Sequence, residues 1–393
     1  MAVICGIDRI DEYADIFRGK RLGLATGASG IGRDYRSSVD ILKDKCDLRA
    51  LFAPEHGVRG EMQGGAHIEN HIDKWSGLPV YGMFDDQVTV NSNSTSALDA
   101  LYMPPREGLD KVDAIVFDIQ DAGARYFTYA STLFFVMKAC AAADKECIVL
   151  DRPNPIGGAI EGNTNRDENL SFVGLTHVPI RHGMTLGELA RMFNGEYHLG
   201  CNLSVVPVAG WTRDMYFDET GLPFVNPSPN MPGINALALY CGICLFEATN
   251  VSDGRGTTSP FEQVGAPFID PMQLKAELDA LNLPGVRFST AYFVPLYYKQ
   301  VNQLCAGVRI HITDRRALRP VELGVRMVRL MQRLYPNDFK FNAPQPGKRW
   351  GIDLLSGTDE LRMNQKSADE IVKEWSEEAR AFGDVRERYG LYK

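Results

Sequence analysis

The chain lacks any run approaching about 18 continuous apolar residues, the length a membrane-crossing helix needs. Its N-terminus, "MAVICGIDRIDEYADIFRGKRLG", has no basic stretch leading into an apolar core, so no secretory leader is legible and a cytoplasmic location is expected. Positive charge is not in excess either. Lysine and arginine number 42 against 50 aspartates and glutamates, a net charge of -8 that argues against nucleic acid or an anionic membrane as partner. Eight cysteines are scattered from Cys5 to Cys305, mostly within apolar runs such as "CIVLD", as buried thiols in a reducing compartment are. Cys241 and Cys244 form one C-x-x-C with no second pair at a zinc-finger spacing, so no metal is expected there. Internal repeats and low-complexity tracts are also missing, and nothing signals an oligomeric state.

What is present is ordinary globular material, 45% hydrophobic and 23% charged. At roughly 150 residues per domain, 393 residues suggest two to three domains. Apolar runs alternate with helix-like segments: "RLGLAT" (21–26), "SSVDILKDK" (37–45), "LRALFAP" (48–54), "DAIVFDIQD" (113–121), "TYASTLFFVMKACAAAD" (128–144) and "CIVLDRPNP" (147–155). Continuous apolar strands separated by helices predict an α/β fold, a doubly wound parallel sheet of Rossmann-like type. The alternation itself covers roughly residues 1–200, and the domain is placed at 1–230. Beyond it, strand material in "GVRIHITD" and a helix in "VELGVRMVRLMQRLY" predict a smaller α+β domain over 231–393, closing a cleft. The segment "SADEIVKEW" opens the last helix with a capping box.

Two motifs invite other chemistries. "TGASGIG" (26–32) follows the first strand like a nucleotide-binding glycine loop, which keeps a nicotinamide-dependent oxidoreductase as an alternative. It is one spacer residue short, and a Tyr-x-x-x-Lys pair occurs only as Tyr389 and Lys393 at the extreme terminus. A turn needing small residues is the simpler account. His67 and His71 have the i, i+4 spacing of zinc ligands on a helix, but their flanks are rich in glycine and turn formers, so an exposed loop is expected.

The chemically rich stretches follow strand ends, the edge where open α/β sheets bind ligands. "PEHGVRG", "FDIQDAGARYFTY", "DRPNP", "RHGMT", "PSPNMP" and "FEATNVSDGRGT" together supply carboxylates, arginines and aromatic faces, the inventory of a sugar site. In this order they closely resemble the DUF1343 family of NamZ-type exo-β-N-acetylmuramidases (glycoside hydrolase family 171), over essentially the whole chain. The resemblance implies a Rossmann-like domain with a smaller C-terminal domain and a cleft site. It also implies release of β-linked N-acetylmuramic acid from the non-reducing ends of peptidoglycan fragments, without a cofactor. A noncatalytic muropeptide-binding protein is the third reading.

Glycoside cleavage needs an acid for the leaving oxygen and a second group at the oxocarbenium-like centre. Glu55, matching the family's Glu-His-Gly, is the first choice as acid/base, with His56 orienting it or carrying a proton. Asp118, Asp121 and Glu247 are alternatives for the second group, and retention, inversion and assistance by the substrate's acetamide all stay open. A bidentate arginine suits the lactyl carboxylate of muramic acid. Arg255 is favoured, with Arg125, Arg181 and Arg59 behind it. Tyr126 and Tyr129 are expected to form a sugar-facing wall. Gln120, Arg152, Asn154, His182, Asn230 and Asn250 complete the substrate-binding set; each also reads as a cap, a turn or, for Arg152, a lock on a βα loop.

Overall fold

The computed structural model describes residues 2–83, 99 and 101–393. Its larger sheet contains β1 (Arg21–Thr26), β2 (Asp47–Ala53), β3 (His71–Ile72), β4 (Pro79–Gly82), β5 (Ala114–Asp118), β6 (Glu146–Leu150) and β7 (Asn202–Val206). The spatial order is β3-β4-β2-β1-β5-β6-β7. All neighbours pair in parallel except β3, which runs antiparallel along β4. With β3 set aside, the strands in chain order read 3-2-1-4-5-6, the Rossmann order, with its switch point between β1 and β5.

Coverage on both faces explains the continuous apolar runs. Every residue of β5 is buried, and the helix Tyr129–Ala142 is buried along most of its circumference. The next helix, Leu186–Glu196, starts at a reciprocal capping box between Thr185 and Glu188. All eight cysteines are free thiols, and burial pushes that of Cys241 up to about 12. His67 precedes β3 in irregular backbone and His71 opens that strand, so the two histidines do not share a helix face.

The smaller sheet comprises β8 (Gln263–Ala266), β9 (Val286–Phe293) and β10 (Cys305–Ile312), antiparallel in the order β8-β10-β9. Helix Pro320–Leu334 packs on helix Ile234–Ile243 where both carry glycine: a Cβ on Gly324 would lie 2.4 Å from the Gly242 carbonyl oxygen. The terminal helix Ala368–Tyr389 begins at the expected capping box of Ser367 and Glu370. It packs back on Leu186–Glu196, and the Tyr392 hydroxyl then donates to Asp151 at the end of β6. One contiguous apolar cluster therefore runs through both halves of the molecule. No helix among the described residues is long and apolar enough to cross a membrane.

Candidate active site

β2 stops at Ala53, and the chain turns at once. The Gly57 N–H donates to the Pro54 carbonyl at 3.0 Å, with His56 and Gly57 both left-handed at φ of 76° and 80°. This turn carries Glu55. Its Oε1 accepts the Gly65 N–H at 3.0 Å, and its Oε2 accepts the Thr128 hydroxyl at 2.6 Å. Thr128 immediately precedes the helix Tyr129–Ala142 and spends its side chain on Glu55 instead of capping that helix. Close cover comes from Gly64, where a Cβ would sit 3.4 Å from Glu55 Oε1 and 3.5 Å from the His56 ring. His56 is buried, and its Nδ1 lies 3.1 Å from the Met62 carbonyl oxygen, so Nδ1 carries the proton.

A second acidic group approaches from the other half of the chain. Glu247 follows the helix Ile234–Ile243 and meets Arg255 at 3.0 Å. Arg255 is also held by the buried Asp253, through Nη2 at 2.8 Å and Nε at 3.1 Å, and its guanidinium lies 3.8 Å from the ring centre of Tyr298. Burial alone would lower this guanidinium, but Asp253 and Glu247 outweigh it and hold it above its usual value. Burial works against the Asp253 carboxylate too, and Lys299 with Arg255 overcomes it, leaving that group below the usual carboxylate range. Burial also lowers the Lys299 ammonium, with Asp253 opposing the effect. Four alternating charges thus form one buried, balanced network with Glu247 at its exposed end.

Glu55 and Glu247 line the same cavity of about 280 Å³. Its walls include His56, Gly65, Tyr126, Thr128, Asn230, Tyr240, Arg255, Phe261 and Tyr298. The two carboxylates have unlike surroundings. Glu55 is held by neutral donors, whereas Glu247 faces a cation.

Of the residues expected from the sequence, the cavity gathers Glu55, His56, Tyr126, Asn230, Glu247 and Arg255. Tyr129 stands just behind, its hydroxyl donating to the Pro227 carbonyl at 2.8 Å. The other candidates lie outside the lining and have work of their own. Asp118 is fully buried and paired with Arg152 through bonds of 2.6 and 2.9 Å, which locks the ends of β5 and β6 together. Asp121 accepts from the Gly123 N–H at 2.8 Å and lies 3.2 Å from Nε2 of the buried His182. Gln120 donates to the Pro153 carbonyl at 2.9 Å, and Asn154 to that of Met184 at 2.9 Å. Arg125 donates to the carbonyls of Asn163, Val178 and Leu355, and its burial lowers it to about 9. Arg181 serves the Ile156 carbonyl and the Tyr216 hydroxyl. Asn250 ties its loop to Asp338 and Lys340, and Arg59 pairs with Asp73 at 2.8 Å. The glycine loop after β1 does not open a helix: the next one begins at Ser38, capped by Ser37. That separation removes the helix N-terminus a dinucleotide phosphate would need.

Residues 22–235 match the family model described as exo-beta-N-acetylmuramidase NamZ, N-terminal, and residues 238–392 match its C-terminal counterpart. The chain belongs to the NamZ family. It is 40% identical over 394 residues to the peptidoglycan beta-N-acetylmuramidase NamZ of Bacillus subtilis (strain 168), covering 98% of this chain and 91% of that protein. Two crystal structures of DUF1343 family proteins from Bacteroides fragilis NCTC 9343 share the fold. One superposes with a TM-score of 0.88 at 35% identity, the other with 0.77 at 32%, each covering 100% of this chain and 99% of its counterpart.

Within this NamZ-family site, sequence reasoning missed Thr128, Gly65 and Tyr298. Thr128 sits inside "ARYFTY", between Tyr126 and Tyr129, whose rings are the stronger sugar-binding signal, and "QGG" marks Gly65 only as a turn. Tyr298 lies in no motif; it comes from the β9–β10 connection, with a left-handed φ of 76°. Its neighbour Tyr297 donates to Asn230 at 2.7 Å and so brings that connection to the cavity rim.

Proposed function

We propose that this chain is an exo-acting glycoside hydrolase that releases β-linked N-acetylmuramic acid from the non-reducing ends of peptidoglycan fragments. The observation that carries the reading is the meeting of Glu55 and Glu247, from opposite halves of a NamZ-family chain, on one cavity of about 280 Å³. That volume is near the lower end of ligand pockets, about 300–1,000 Å³, and suits one substituted sugar ring better than a length of polymer.

Glu55 protonates the departing glycosidic oxygen. Its two neutral donors fix its position without opposing proton transfer, and the Thr128 hydroxyl can donate to the carboxylate or accept from the acid. Glu247, salt-bridged to Arg255, supplies negative charge to the oxocarbenium-like centre. Arg255 meets the lactyl carboxylate through Nη1, the guanidinium nitrogen that neither Asp253 nor Glu247 engages. Tyr126, Tyr298 and Phe261 enclose the ring, and Asn230 takes a polar substituent.

The test is chromophore release from a chromogenic β-N-acetylmuraminide, with the β-N-acetylglucosaminide as control, for the unsubstituted protein and Glu55→Gln. Muraminide cleavage that collapses in a folded Glu55→Gln protein is expected. Cleavage that survives would remove Glu55 from the acid role, and no cleavage of any muramic acid-terminated substrate would overturn the enzyme.

A further inference from the structure

Glu247 rides on a short helical turn, Cys244–Ala248, that continues the helix Ile234–Ile243. The carbonyls of Phe246, Thr249 and Val251, on either side of Glu247, converge on one atom, the Lys299 Nζ, at 2.6, 3.2 and 2.9 Å. We propose that Lys299 is a positioning residue, whose ammonium fixes the backbone that carries Glu247 and, through Asp253, the guanidinium of Arg255. The inference rests on the glycosidase reading above.

The match is one of donor count. A lysine ammonium has three N–H donors and no acceptor. The three carbonyls use all three hydrogens, so the Asp253 carboxylate, 3.5 Å away, receives charge and no hydrogen bond. Carbonyls at a helix end have no partner further along the helix. A single cation thus satisfies what the turn leaves open, and Glu247 cannot rotate away with its backbone without giving up those bonds. Asp253 in turn grips Arg255 through Nε and Nη2. The planar fork of an arginine could not serve three carbonyls that meet at one point.

The delivery of Lys299 points the same way. Along an extended chain, successive side chains face opposite sides. Here four consecutive residues of the β9–β10 connection all reach the segments that carry Asn230, Glu247 and Arg255. Tyr297 donates to Asn230, Tyr298 lies over Arg255, Lys299 meets the three carbonyls, and Gln300 donates to the Asn250 carbonyl at 2.6 Å. Tyr298 and Gln300, left-handed at φ of 76° and 53°, break the alternation on each side of Lys299. Strain of this kind persists where the surroundings over-determine it, as at functional sites. The connection is a clasp, and Lys299 is the single charged residue between Val294 and Leu304.

The experiment is turnover of the chromogenic β-N-acetylmuraminide by the full-length Lys299→Met and Lys299→Ala proteins, with thermal denaturation alongside. Lys299→Met keeps the bulk and removes the charge. It is expected to lower kcat about a hundredfold, with KM changed less than about threefold. n-Propylammonium, which supplies the atoms alanine lacks, should restore the kcat of Lys299→Ala by about tenfold, and n-propanol should not. Unaltered kcat in a folded Lys299→Met protein would overturn the assignment, as would equal rescue by the alcohol or none by the ammonium. Should Lys299→Met fail to fold, the rescue of Lys299→Ala carries the test. The ¹³C carboxyl resonance of Glu247, assigned by its loss in Glu247→Gln, reads the same placement without turnover. It should move in Lys299→Met, and an unmoved resonance would also overturn the proposal. A resonance that moves in a protein whose unsubstituted form cleaves no muramic acid-terminated substrate would strike at the glycosidase reading alone.

Discussion

Thr128 donates its hydroxyl to Glu55 across 2.6 Å, joining the start of a helix to a residue two positions beyond the end of a strand. The Glu55 carboxylate is thus aimed by an element more than seventy residues away in the chain. Replacing Thr128 by valine keeps the shape and removes the donor. A fall in kcat of about tenfold is expected, and Thr128→Ser should recover most of it. Unchanged kcat for the valine variant would mean that Glu55 holds its position unaided.

His56 occupies a left-handed backbone position, at φ 76°, that favours glycine. His56→Gly relieves that strain while deleting the imidazole. Thermal denaturation should show equal or higher stability, by up to about 1 kcal/mol, while activity falls. A variant that is both less stable and fully active would contradict both halves of this account.

Tyr298 covers Arg255 and lines the cavity together with Glu247. Tyr298→Phe retains the ring over Arg255 and removes only the hydroxyl on the cavity shared with Glu247, so kcat should drop several-fold with the melting temperature unmoved. Arg255→Met is expected to behave differently, because it strips Asp253 and Glu247 of their shared cation. Breaking a buried pair costs about 3–5 kcal/mol, and chemical denaturation should register a loss of that order.

Asp118→Asn separates a structural carboxylate from a chemical one. Its pairing with Arg152 is fully buried and outside the cavity lining, so a destabilisation of about 3–5 kcal/mol is expected with KM nearly unchanged in the folded fraction. A large rise in KM at full stability would bring Asp118 back into the site.

Glu161 makes stability depend on pH. Burial raises its carboxyl from 4.5 to about 7, against the opposing pull of Arg181. The unfolded chain ionises first, so the stabilising contribution is complete below about 4.5 and disappears as pH rises to about 7. The span corresponds to a loss on the order of 3 kcal/mol. Glu161→Gln should flatten this part of the stability profile, measured by denaturant titration at pH 5 and pH 8; parallel profiles would show that Glu161 is not the group responsible.

The doubly wound sheet was legible because its signals are local. An apolar run such as "AIVF" has few places to go except a strand covered on both faces, and the Ser367–Glu370 capping box needs only four consecutive residues. Glu55 was legible for a related reason, since Pro54, Gly57 and Gly60 mark a sharp turn after an apolar strand. The arginines were not separable on such grounds. Arg125, Arg181 and Arg255 all stand within two residues of a glycine, and their tasks differ because their partners differ: backbone carbonyls for the first, a carbonyl and a tyrosine hydroxyl for the second, and two carboxylates for the third.

By itself, the sequence determined the order of strands and helices, the turn that carries Glu55 and the motifs by which the family is known. The placing of Glu247 on the cavity of Glu55, with Asp118 and Asp121 outside its lining, the Thr128 bond and the arrival of Tyr298 at the cavity were decided only in the tertiary structure. The physical reason is that hydrophobic periodicity, turns and caps are set by residues within a few positions of one another. The role of a charged or polar group is set by what neutralises it and how deeply it is buried, and those partners come from remote parts of the chain.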